Sequence, residues 1–421
     1  MNTHENSEIE PKEVRVEEFK RTSSGISRLV RRRNGQVVES RFVPTDGQRG
    51  PVDPDSAEGS WLRSDAPNDL ESTSQSLRVV DLFSGCGGLS VGAREAALSL
   101  GLAFVPALAV DFEPTAAEVF GKNFSGGRVI VGDVAEIFDS PVGNKLSAAE
   151  RHVLKDLGNT DVLMGGPPCQ GHSDLNNRTR RMDPKNELYF SMVRAAEVLE
   201  PRCVLIENVP GALNDKAQVV QRSAAALSDL GYKVDFGVVD ASRIGVPQRR
   251  KRLLLLASRD HEPCVDDIES IYARPPRTLR WAIGDLEGLS TPDLRDEAAN
   301  SAPATRTRID YLFDHDLFDL PDMMRPACHR TKAHTYRSIY GRLRWDEPTQ
   351  TITTGFYSMC MGRYVHPSER RTLTAREAAR IQYFPDAFDF TSVTKRSDLA
   401  KMIGNAVPSR LAHAALLELL R

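Results

Sequence analysis

The chain has 421 residues, of which 40% are hydrophobic and 27% are charged, and its formal net charge is -3. At roughly 150 residues per domain this length holds two or three domains, which excludes an isolated peptide or a small disulfide-stapled scaffold. The 55 basic and 58 acidic residues nearly cancel, so the overall charge neither predicts nor excludes a nucleic-acid partner.

The cysteines and the apolar runs argue against a disulfide-bonded, zinc-binding, secreted or membrane protein. The six cysteines are scattered, without a CxxC pair or nearby histidines at zinc spacing, so we predict reduced thiols and no metal site. The amino terminus has no apolar signal region, and the longest nearly apolar run, residues 102–110, is far shorter than the roughly 20 residues of a membrane span. We therefore expect a cytoplasmic protein with no membrane partner.

Residues 1–76 show little apolar periodicity. An acidic start is followed by a basic patch that contains Arg28, Arg31, Arg32 and Arg33, and then by a stretch rich in Pro, Asp, Ser and Gly. This composition predicts a mobile N-terminal extension. The basic patch is a candidate for phosphate contact, although a run of this kind is more often simply solvated.

From Leu77 onward, short apolar strands alternate with helical segments. Strands are predicted near residues 77–83, 104–111, 129–133, 161–166, 203–209, 234–240 and 252–258. Helices are predicted near residues 88–101, 113–124, 188–199 and 219–230. This alternation predicts an α/β fold with a mostly parallel sheet covered on both faces.

The alternation weakens after about Arg259, which predicts a smaller module over residues 259–364. Within it, the run from Arg325 to Trp345 is basic and carries interleaved aromatic residues, a composition that suits a phosphate backbone. Helical character resumes over residues 373–384, where Thr374 and Glu377 have the spacing of a capping box, and again over 408–421. We assign residues 77–258 to the main domain and residues 365–421 to a return to it.

A glycine-rich loop joins the first predicted strand to its helix through Gly85, Gly87 and Gly88. A dinucleotide-binding fingerprint would place a third glycine at position 90, where this chain has Ser90. The aromatic Phe83, directly before the turn, suits stacking on an adenine better than cradling a pyrophosphate.

Acidic residues end the next two strands. Asp111 is placed to bind ribose hydroxyls, and Asp133 to lie near an adenine edge. Acids at successive strand ends indicate a nucleoside cofactor, while the alternative that they are helix caps and turn residues stays open.

Further chemistry-bearing residues follow three later strands. Cys169 comes after two adjacent prolines at a strand end, which makes it a candidate nucleophile, although a lone cysteine is usually a core residue. Glu207 ends the neighbouring predicted strand. The basic run 248–252 leads into a buried strand, on which Arg250 and Arg252 should point to the same side.

These segments together resemble the DNA cytosine-5 methyltransferases, which use S-adenosylmethionine. The similarity covers about residues 77–421 and follows the family's order of motifs: DLFSGCGG, GPPCQG, ENV, QRRKR, RTLTAREAARIQYFPD and GNAVP. It implies a Rossmann-like methyltransferase sheet with a target-recognition domain inserted at 259–364. Two positions depart from the family: His172 replaces the usual Phe, and Asp111 stands where Glu is commoner.

The resemblance also implies roles for individual residues. Cys169 would attack carbon 6 of cytosine, Glu207 would act at ring nitrogen 3 and Arg252 at the ring carbonyl, while Arg250 would position Cys169 or a phosphate. The implied cofactor-binding residues are Phe83, Gly85, Gly87, Asp111, Phe112, Asp133, Pro168, Leu188, Asn405 and Ala406. The implied DNA-binding residues are Gln170, Ser173, Arg325, Arg337, Arg342 and Arg344.

The function expected from this resemblance is methylation of carbon 5 of cytosine within a specific double-stranded DNA sequence. It would proceed by base flipping and a covalent Cys169 adduct, in a monomer that protects DNA from a partner endonuclease. Three alternatives stay open: the tRNA-directed branch of the family, whose PPCQPFT-like loop is absent here; a catalytically silent DNA-binding regulator; and a nicotinamide oxidoreductase, which Ser90 disfavours.

Overall fold

The computed structural model describes residues 16–23, 25–43, 50–51, 53–66, 73–168, 188–330 and 339–421. Its strands are β1 Glu17–Thr22, β2 Gly25–Arg31, β3 Val37–Val43, β4 Gly50–Pro51, β5 Ser76–Leu82, β6 Ala103–Asp111, β7 Arg128–Val131, β8 Val162–Gly165, β9 Cys203–Asn208, β10 Lys233–Asp240, β11 Gln248–Arg249, β12 Lys251–Ser258 and β13 Thr349–Gln350. Its helices are α1 Pro54–Leu62, α2 Gly88–Ser99, α3 Pro114–Asn123, α4 Val134–Ile137, α5 Ala148–Leu154, α6 Leu188–Leu199, α7 Val219–Asp229, α8 Asp266–Ile271, α9 Leu279–Ile283, α10 Pro303–Asp314, α11 Ala327–Arg330, α12 Ala375–Ile381, α13 Arg396–Asn405 and α14 Ser409–Leu420. Among these helices, none is both long and apolar enough to cross a bilayer.

Seven of the described strands form the central sheet, in the order β10-β12-β9-β8-β5-β6-β7. The pairs among β5, β6, β7, β8 and β9 are parallel, whereas β12 is antiparallel to both β9 and β10. The predicted α/β fold with a mostly parallel sheet is therefore confirmed. Because β12 runs against β9, it begins at the edge where the parallel strands end, and this brings residues of both strands together at that edge.

Both faces of the sheet are covered by helices. On one face, α2 and α14 bury apolar residues against Val79, Leu205 and Leu254. On the other face, α6 and α7 pack against Val80 and Val204. Alternate residues of a buried strand face opposite layers, which explains why β9 is buried along its whole length.

The described residues between 17 and 62 form strands and a helix, so the expectation of a mobile extension over residues 1–76 is wrong for them. Strands β1–β4 form a four-stranded antiparallel sheet in the order β3-β2-β1-β4, and α1 packs beside it. Phe19, Ile26, Phe42 and Trp61 are buried in a cluster shared with α9 and α12. Apolar periodicity does not reveal these strands because several of their inward positions carry charged residues.

The basic patch of this segment contacts the main domain. Arg28 is buried and ion-pairs with Glu17 and Glu95 at 3.3 and 3.2 Å. Arg32 donates to the carbonyl of Leu100 at 3.0 Å, and Arg33 pairs with Glu418 of α14 at 2.5 Å. These three side chains therefore have intramolecular partners. Only Arg28 among them is buried, so the solvated interpretation is wrong for Arg28, whereas Arg31 and Arg33 are exposed.

The core of the smaller module is formed by fewer residues than the predicted range 259–364 contains. This core contains Ile309, Leu312, Leu320, Tyr340 and Val365. The preceding α8 instead packs beside the central sheet, and α9 packs in the cluster shared with the N-terminal strands. The chain then returns to the main domain through α12, whose capping box between Thr374 and Glu377 is present as predicted, and α14.

Candidate active site

A cavity of about 1150 Å³ opens at the edge of the sheet where the parallel strands end. Its wall combines the glycine loop after β5, the β6–α3 turn, the proline loop after β8 and the end of β9. Further parts of the wall come from residues 350–354, from residues between 360 and 364, from residues between 398 and 407, and from Arg249, Arg250, Arg252 and Ile339. In open α/β sheets this edge is where ligands bind, so the topology alone makes the cavity the candidate site.

Glu207 and Arg252 face each other in this cavity. Glu207 lies at the end of β9, Arg252 lies at the start of the antiparallel β12, and the Arg252 Nε atom is 2.7 Å from the Glu207 carboxylate. Their side chains are 11% and 12% exposed, so the pair is shielded from bulk water but reaches the cavity. A carboxylate and a guanidinium are thus held side by side, where both could contact one planar polar ligand.

Arg250 lies deeper than the Glu207–Arg252 pair. Gln248 and Arg250 are buried while Arg249 and Lys251 are exposed, which is the predicted alternation. The Arg250 guanidinium donates to the carbonyl of Ile352 at 2.8 Å and to that of Ala406 at 3.0 Å. Among the described residues, Arg250 therefore joins two walls of the cavity, and its predicted contact to Cys169 involves a position outside the described residues.

The proline loop is held against Glu207 by its neighbour Asn208. The Asn208 side-chain amide is buried and donates to the carbonyl of Pro167 at 3.0 Å. A Cβ atom at Gly166 would lie 3.2 Å from a Glu207 oxygen, so the loop passes close to the carboxylate. The loop is followed through Pro168, which lines the cavity; Cys169, Gln170 and Ser173 lie outside the described residues.

The glycine loop is fixed by Asp111. One Asp111 oxygen accepts from the Gly85 amide at 2.7 Å and the other from the Glu113 amide at 2.9 Å. Burial raises the pKa of Asp111, and the two amides oppose that rise. Gly87 adopts a positive φ of 102°, and a Cβ atom there would lie 2.4 Å from the Phe124 ring, so Gly87 shapes the loop and does not line the cavity.

The structure shows a role for the serine at position 90 that the sequence did not indicate. Its hydroxyl, in the first turn of α2, donates to the buried Asp81 carboxylate of β5 at 2.6 Å. Burial raises the pKa of Asp81 to about 7, and the Ser90 hydrogen bond acts against this rise. The two residues thus join the strand and the helix on either side of the glycine loop.

The far end of the cavity presents an aromatic ring beside a charged pair. Phe112 is 62% exposed and lines the cavity. The Lys401 ammonium group lies 5.6 Å from the centre of the Phe112 ring and ion-pairs with Glu113. Exposure of so large an aromatic side chain is typical of a ligand-binding surface. Lys401 and Glu113 were not predicted as site residues.

Most of the predicted cofactor residues meet in the cavity. Phe83, Gly85, Asp111, Phe112, Pro168, Asn405 and Ala406 all line it. Ala406 lies beside the glycine loop, since a Cβ atom at Gly88 would be 3.2 Å from its side chain. Asp133 instead caps α4 by accepting from the Ala135 amide, and Leu188 begins α6; neither lines the cavity.

The predicted DNA-binding arginines divide into two groups. Arg325 donates to the carbonyl of Leu320, and Arg342 donates to that of Pro367 while its guanidinium lies 4.2 Å from the centre of the Phe313 ring. Arg344 is 43% exposed and lies over the Phe318 ring at 3.7 Å. Arg337 lies outside the described residues. Of the three described arginines, Arg344 is the one most available to an external phosphate.

One cluster of potential metal ligands occurs in the described part of the chain, at His366, Glu369 and Glu377. Arg371 already ion-pairs with Glu369 at 2.9 Å and with Glu377 at 2.7 Å. Because a guanidinium neutralises both carboxylates, this cluster does not indicate a cation site.

Comparison with known proteins agrees with this geometry. A family model described as C-5 cytosine-specific DNA methylase matches residues 77–421. The type II methyltransferase M1.BsuMI of Bacillus subtilis (strain 168) is 38% identical over 423 residues, covering 100% of this chain and 99% of the relative. The type II methyltransferase M1.HphI of Haemophilus parahaemolyticus is 30% identical over 351 residues, covering 80% of this chain and 85% of the relative.

A solved structure supports the fold assignment. The crystal structure of a DNA modification methyltransferase encoded within an E. coli prophage superposes with a TM-score of 0.55 at 25% identity, covering 82% of this chain and 98% of that chain. This similarity confirms the predicted Rossmann-like methyltransferase fold. The chain belongs to the C-5 cytosine-specific DNA methylase family, a family of S-adenosylmethionine-dependent DNA (cytosine-5)-methyltransferases.

Proposed function

We propose that this methyltransferase acts on cytosine within a specific double-stranded DNA sequence, flips the base out of the duplex and forms a covalent adduct through Cys169. The observation that carries the proposal is the Glu207–Arg252 pair, which lies beside the proline loop in the same cavity as Asp111 and Phe112. Binding groups for a ring and for a nucleoside cofactor therefore share one cavity.

The residues at the far end of the cavity fit S-adenosylmethionine. Phe112 offers an exposed aromatic face for the adenine, and each Asp111 oxygen retains a lone pair for a ribose hydroxyl after accepting its backbone amide. Gly85, Asn405 and Ala406 would surround the methionine part. The cavity is large enough for a cofactor together with a flipped base. When bound, S-adenosylmethionine supplies the methyl group that carbon 5 receives.

The proposed chemistry follows from the weak nucleophilicity of carbon 5. The Cys169 sulfur would form a bond to carbon 6, which makes carbon 5 nucleophilic and places negative charge on the ring. Arg252 would stabilise that charge at the ring carbonyl, and Glu207 would hold a proton at ring nitrogen 3. After methylation, loss of the proton on carbon 5 and breakage of the sulfur–carbon bond restore the thiolate and the aromatic ring.

The loop geometry supports Cys169 in this role. Pro167 and Pro168 restrict the backbone, and Asn208 holds the Pro167 carbonyl, so the chain reaches position 169 from a fixed point beside Glu207. A free thiol is mostly protonated at neutral pH, and the nearby Arg250 and Arg252 would favour the thiolate.

DNA contact is proposed through the smaller module and the proline loop. The target base is inaccessible inside a duplex, so it must rotate outward at a cost of a few kcal/mol. Arg344 is the exposed candidate for phosphate contact, with Gln170, Ser173 and Arg337 as further predicted contacts. The names of the type II relatives support a role in protecting DNA from a partner endonuclease, and we propose that the chain acts as a monomer.

Base-resolution mapping of 5-methylcytosine tests the proposed substrate. The full chain and its Cys169→Ala variant would be expressed in cells that lack other cytosine-5 methyltransferases. We expect 5-methylcytosine at one short duplex sequence with the wild type and none with the variant. Absence of the mark from DNA, or its appearance in RNA alone, would contradict the proposal.

A further inference from the structure

The N-terminal module, residues 16–66, contacts two separate parts of the chain. On one side, Arg32 and Arg33 of the module bind the Leu100 carbonyl and Glu418 of α14. On the other side, α1 contacts residues 274–286, which we call the α9 segment because they surround helix α9. The family model begins only at residue 77, whereas the similarity to M1.BsuMI covers the whole chain. The module is therefore an addition to the family's catalytic region.

Contacts between the module and the α9 segment are polar and specific. Arg277 ion-pairs with Asp55 at 2.8 Å and with Glu58 at 2.5 Å. The Trp281 indole donates to the Asp55 carbonyl at 3.0 Å. Arg63 pairs with Asp285 at 3.1 Å and also donates to the Trp281 carbonyl. Three side chains of the module thus fix both ends of α9.

The α9 segment in turn holds the turn at residues 345–347, which precedes the cavity wall at residues 350–354. The Leu279 amide donates to the Glu347 carbonyl at 2.8 Å, and the Arg280 amide to the Trp345 carbonyl at 3.0 Å. Four residues beyond Trp345, β13 pairs with β11, and the chain then runs through residues 350–354, which line the cavity. A continuous set of hydrogen bonds and ion pairs therefore connects the module to the cavity wall contributed by residues 350–354.

Buried charge makes this docking of the module hard to reverse. Glu17 and Glu58 of the module are at most 3% exposed, and between them they face Arg274, Arg277 and Arg410 of the rest of the chain. Separating the module would leave these arginines without their carboxylate partners, at the high cost of unpaired charge in a poorly solvated place.

We infer that the N-terminal module positions the cavity wall at residues 350–354 for binding of target DNA. Asp55, Glu58 and Arg63 are positioning residues that act through Arg277 and α9.

This inference rests on the proposed function, in which Arg344 contacts a DNA phosphate. The turn that α9 holds begins directly after Arg344, and its Glu347 side chain lies 3.6 Å from the Arg344 guanidinium, which places this wall on the proposed DNA side. Loosening the contacts to the α9 segment should weaken productive DNA binding. Cofactor binding should change less, because Asp111 and Phe112 lie on the β6–α3 turn, outside this wall, although Arg250 joins Ile352 to Ala406.

The test compares two double variants of the full chain. Asp55→Asn with Arg63→Gln removes contacts to the α9 segment, and Arg32→Gln with Arg33→Gln removes contacts to the main domain. The pairs are matched, because Arg63 and Arg33 have 33% and 34% of their side chains exposed. For each protein the KM for unmethylated plasmid DNA, the turnover at saturating DNA, the Kd of S-adenosylmethionine and the unfolding midpoint would be measured.

We expect the first double variant to raise the KM for DNA by about three- to tenfold. The effect should be modest because the ion pairs that are removed are partly exposed to solvent. Its turnover at saturating DNA and its cofactor Kd should stay within about twofold of the wild type. The second double variant should lower the unfolding midpoint comparably while leaving the KM for DNA unchanged. The conservative variant Asp55→Glu, which keeps the carboxylate, should retain a near-normal KM.

Two results would overturn the inference: an unchanged KM in the first variant, or an equal rise in both. If the first double variant does not fold, the single Asp55→Asn and Asp55→Glu variants give the same comparison. A wild type that binds S-adenosylmethionine but methylates no DNA would refute the proposed function as well. An active wild type with unaffected variants would refute the positioning role alone.

Discussion

Ion pairs shielded from bulk water occur both in the active-site cavity and in the interface between the N-terminal module and the rest of the chain, and the two regions are built differently. In the cavity, Glu207 and Arg252 pair with each other and still reach open space. Beneath the module, Glu17, Arg410 and His413 are at most 3% exposed and are surrounded by one another. The first arrangement leaves hydrogen-bonding capacity for a ligand, and the second uses it within the protein.

The titration behaviour of the interface shows how completely its charges are matched. Burial alone would raise the pKa of Glu58, but Arg277, Arg410 and Arg274 overcome this effect and hold the pKa at about 2. Burial lowers the pKa of His413 well below its usual value, so the imidazole is neutral beside Arg410. Removing one partner from such an interface leaves buried charge uncompensated, while the cavity pair is available for chemistry.

Removing one member of the buried interface should have the largest effect on stability. Arg410→Met removes the arginine that pairs with both Glu17 and Glu58 and breaks a buried ion-pair network, and we expect a loss of about 3–5 kcal/mol in the free energy of unfolding. Urea unfolding would measure it. The exposed pair of Arg202 and Asp260 is the control, because Arg202→Met should cost less than about 1 kcal/mol. Similar losses in both variants would contradict the comparison.

In the cavity, altering one member of the Glu207–Arg252 pair should lower the rate of methylation and leave the free energy of unfolding nearly unchanged. Glu207→Gln removes a group proposed to act on charge in the cytosine ring, so single-turnover methylation should fall by about 10²- to 10³-fold. The Kd of S-adenosylmethionine should not change. Asp260→Asn, which alters an exposed carboxylate paired with Arg202 at the opposite edge of the sheet, is the control and should be active. A near-normal rate in Glu207→Gln would remove this residue from the mechanism.

The buried His413 predicts a specific pH dependence. Because its pKa is lowered in the folded protein, the unfolded chain binds a proton first as pH falls through about 6.5. The folded state should then lose up to about 1.4 kcal/mol of stability per pH unit from this group. His413→Gln lacks this contribution, so the stability advantage of the wild type should shrink between pH 7 and pH 5. A constant difference would show that His413 is protonated equally in both states.

The smallest predicted effect concerns the cofactor end of the cavity. Lys401→Met removes the cation near the Phe112 ring and the partner of Glu113, and should weaken S-adenosylmethionine binding by about three- to fivefold. Calorimetry would measure the Kd. The exposed Lys395, next to the first residue of the same helix, supplies the control Lys395→Met, which should bind normally. Equal affinities in the two variants would exclude Lys401 from holding this end.

The same contrast explains what the sequence could predict. Gly85, Asp111 and Glu207 end parallel strands, so their meeting at one edge follows from the alternation of strands and helices. The contact between Glu207 and Arg252 depends also on the antiparallel direction of β12. The alternation of strands and helices does not predict that direction.

No pattern in the sequence predicts which charged residues pair when they are far apart along the chain. Glu17 and Arg410 are 393 positions apart, and nothing in the local sequence links them. The basic run from Arg325 to Trp345 was a poor guide to phosphate contacts. Arg342 lies over an aromatic ring, and Arg325 donates to a nearby carbonyl. Sequence composition shows that a segment is basic, but not which surface its side chains cover.

Covalent trapping tests the central claim, the Cys169 adduct, most directly. A duplex with 5-fluorocytosine at the mapped target position would be incubated with S-adenosylmethionine and each protein, then denatured and separated by electrophoresis. Fluorine at carbon 5 cannot leave as the proton does, so the sulfur–carbon bond should persist. We predict a stable complex with the wild type and none with Cys169→Ala, and equal trapping of both proteins would contradict the account.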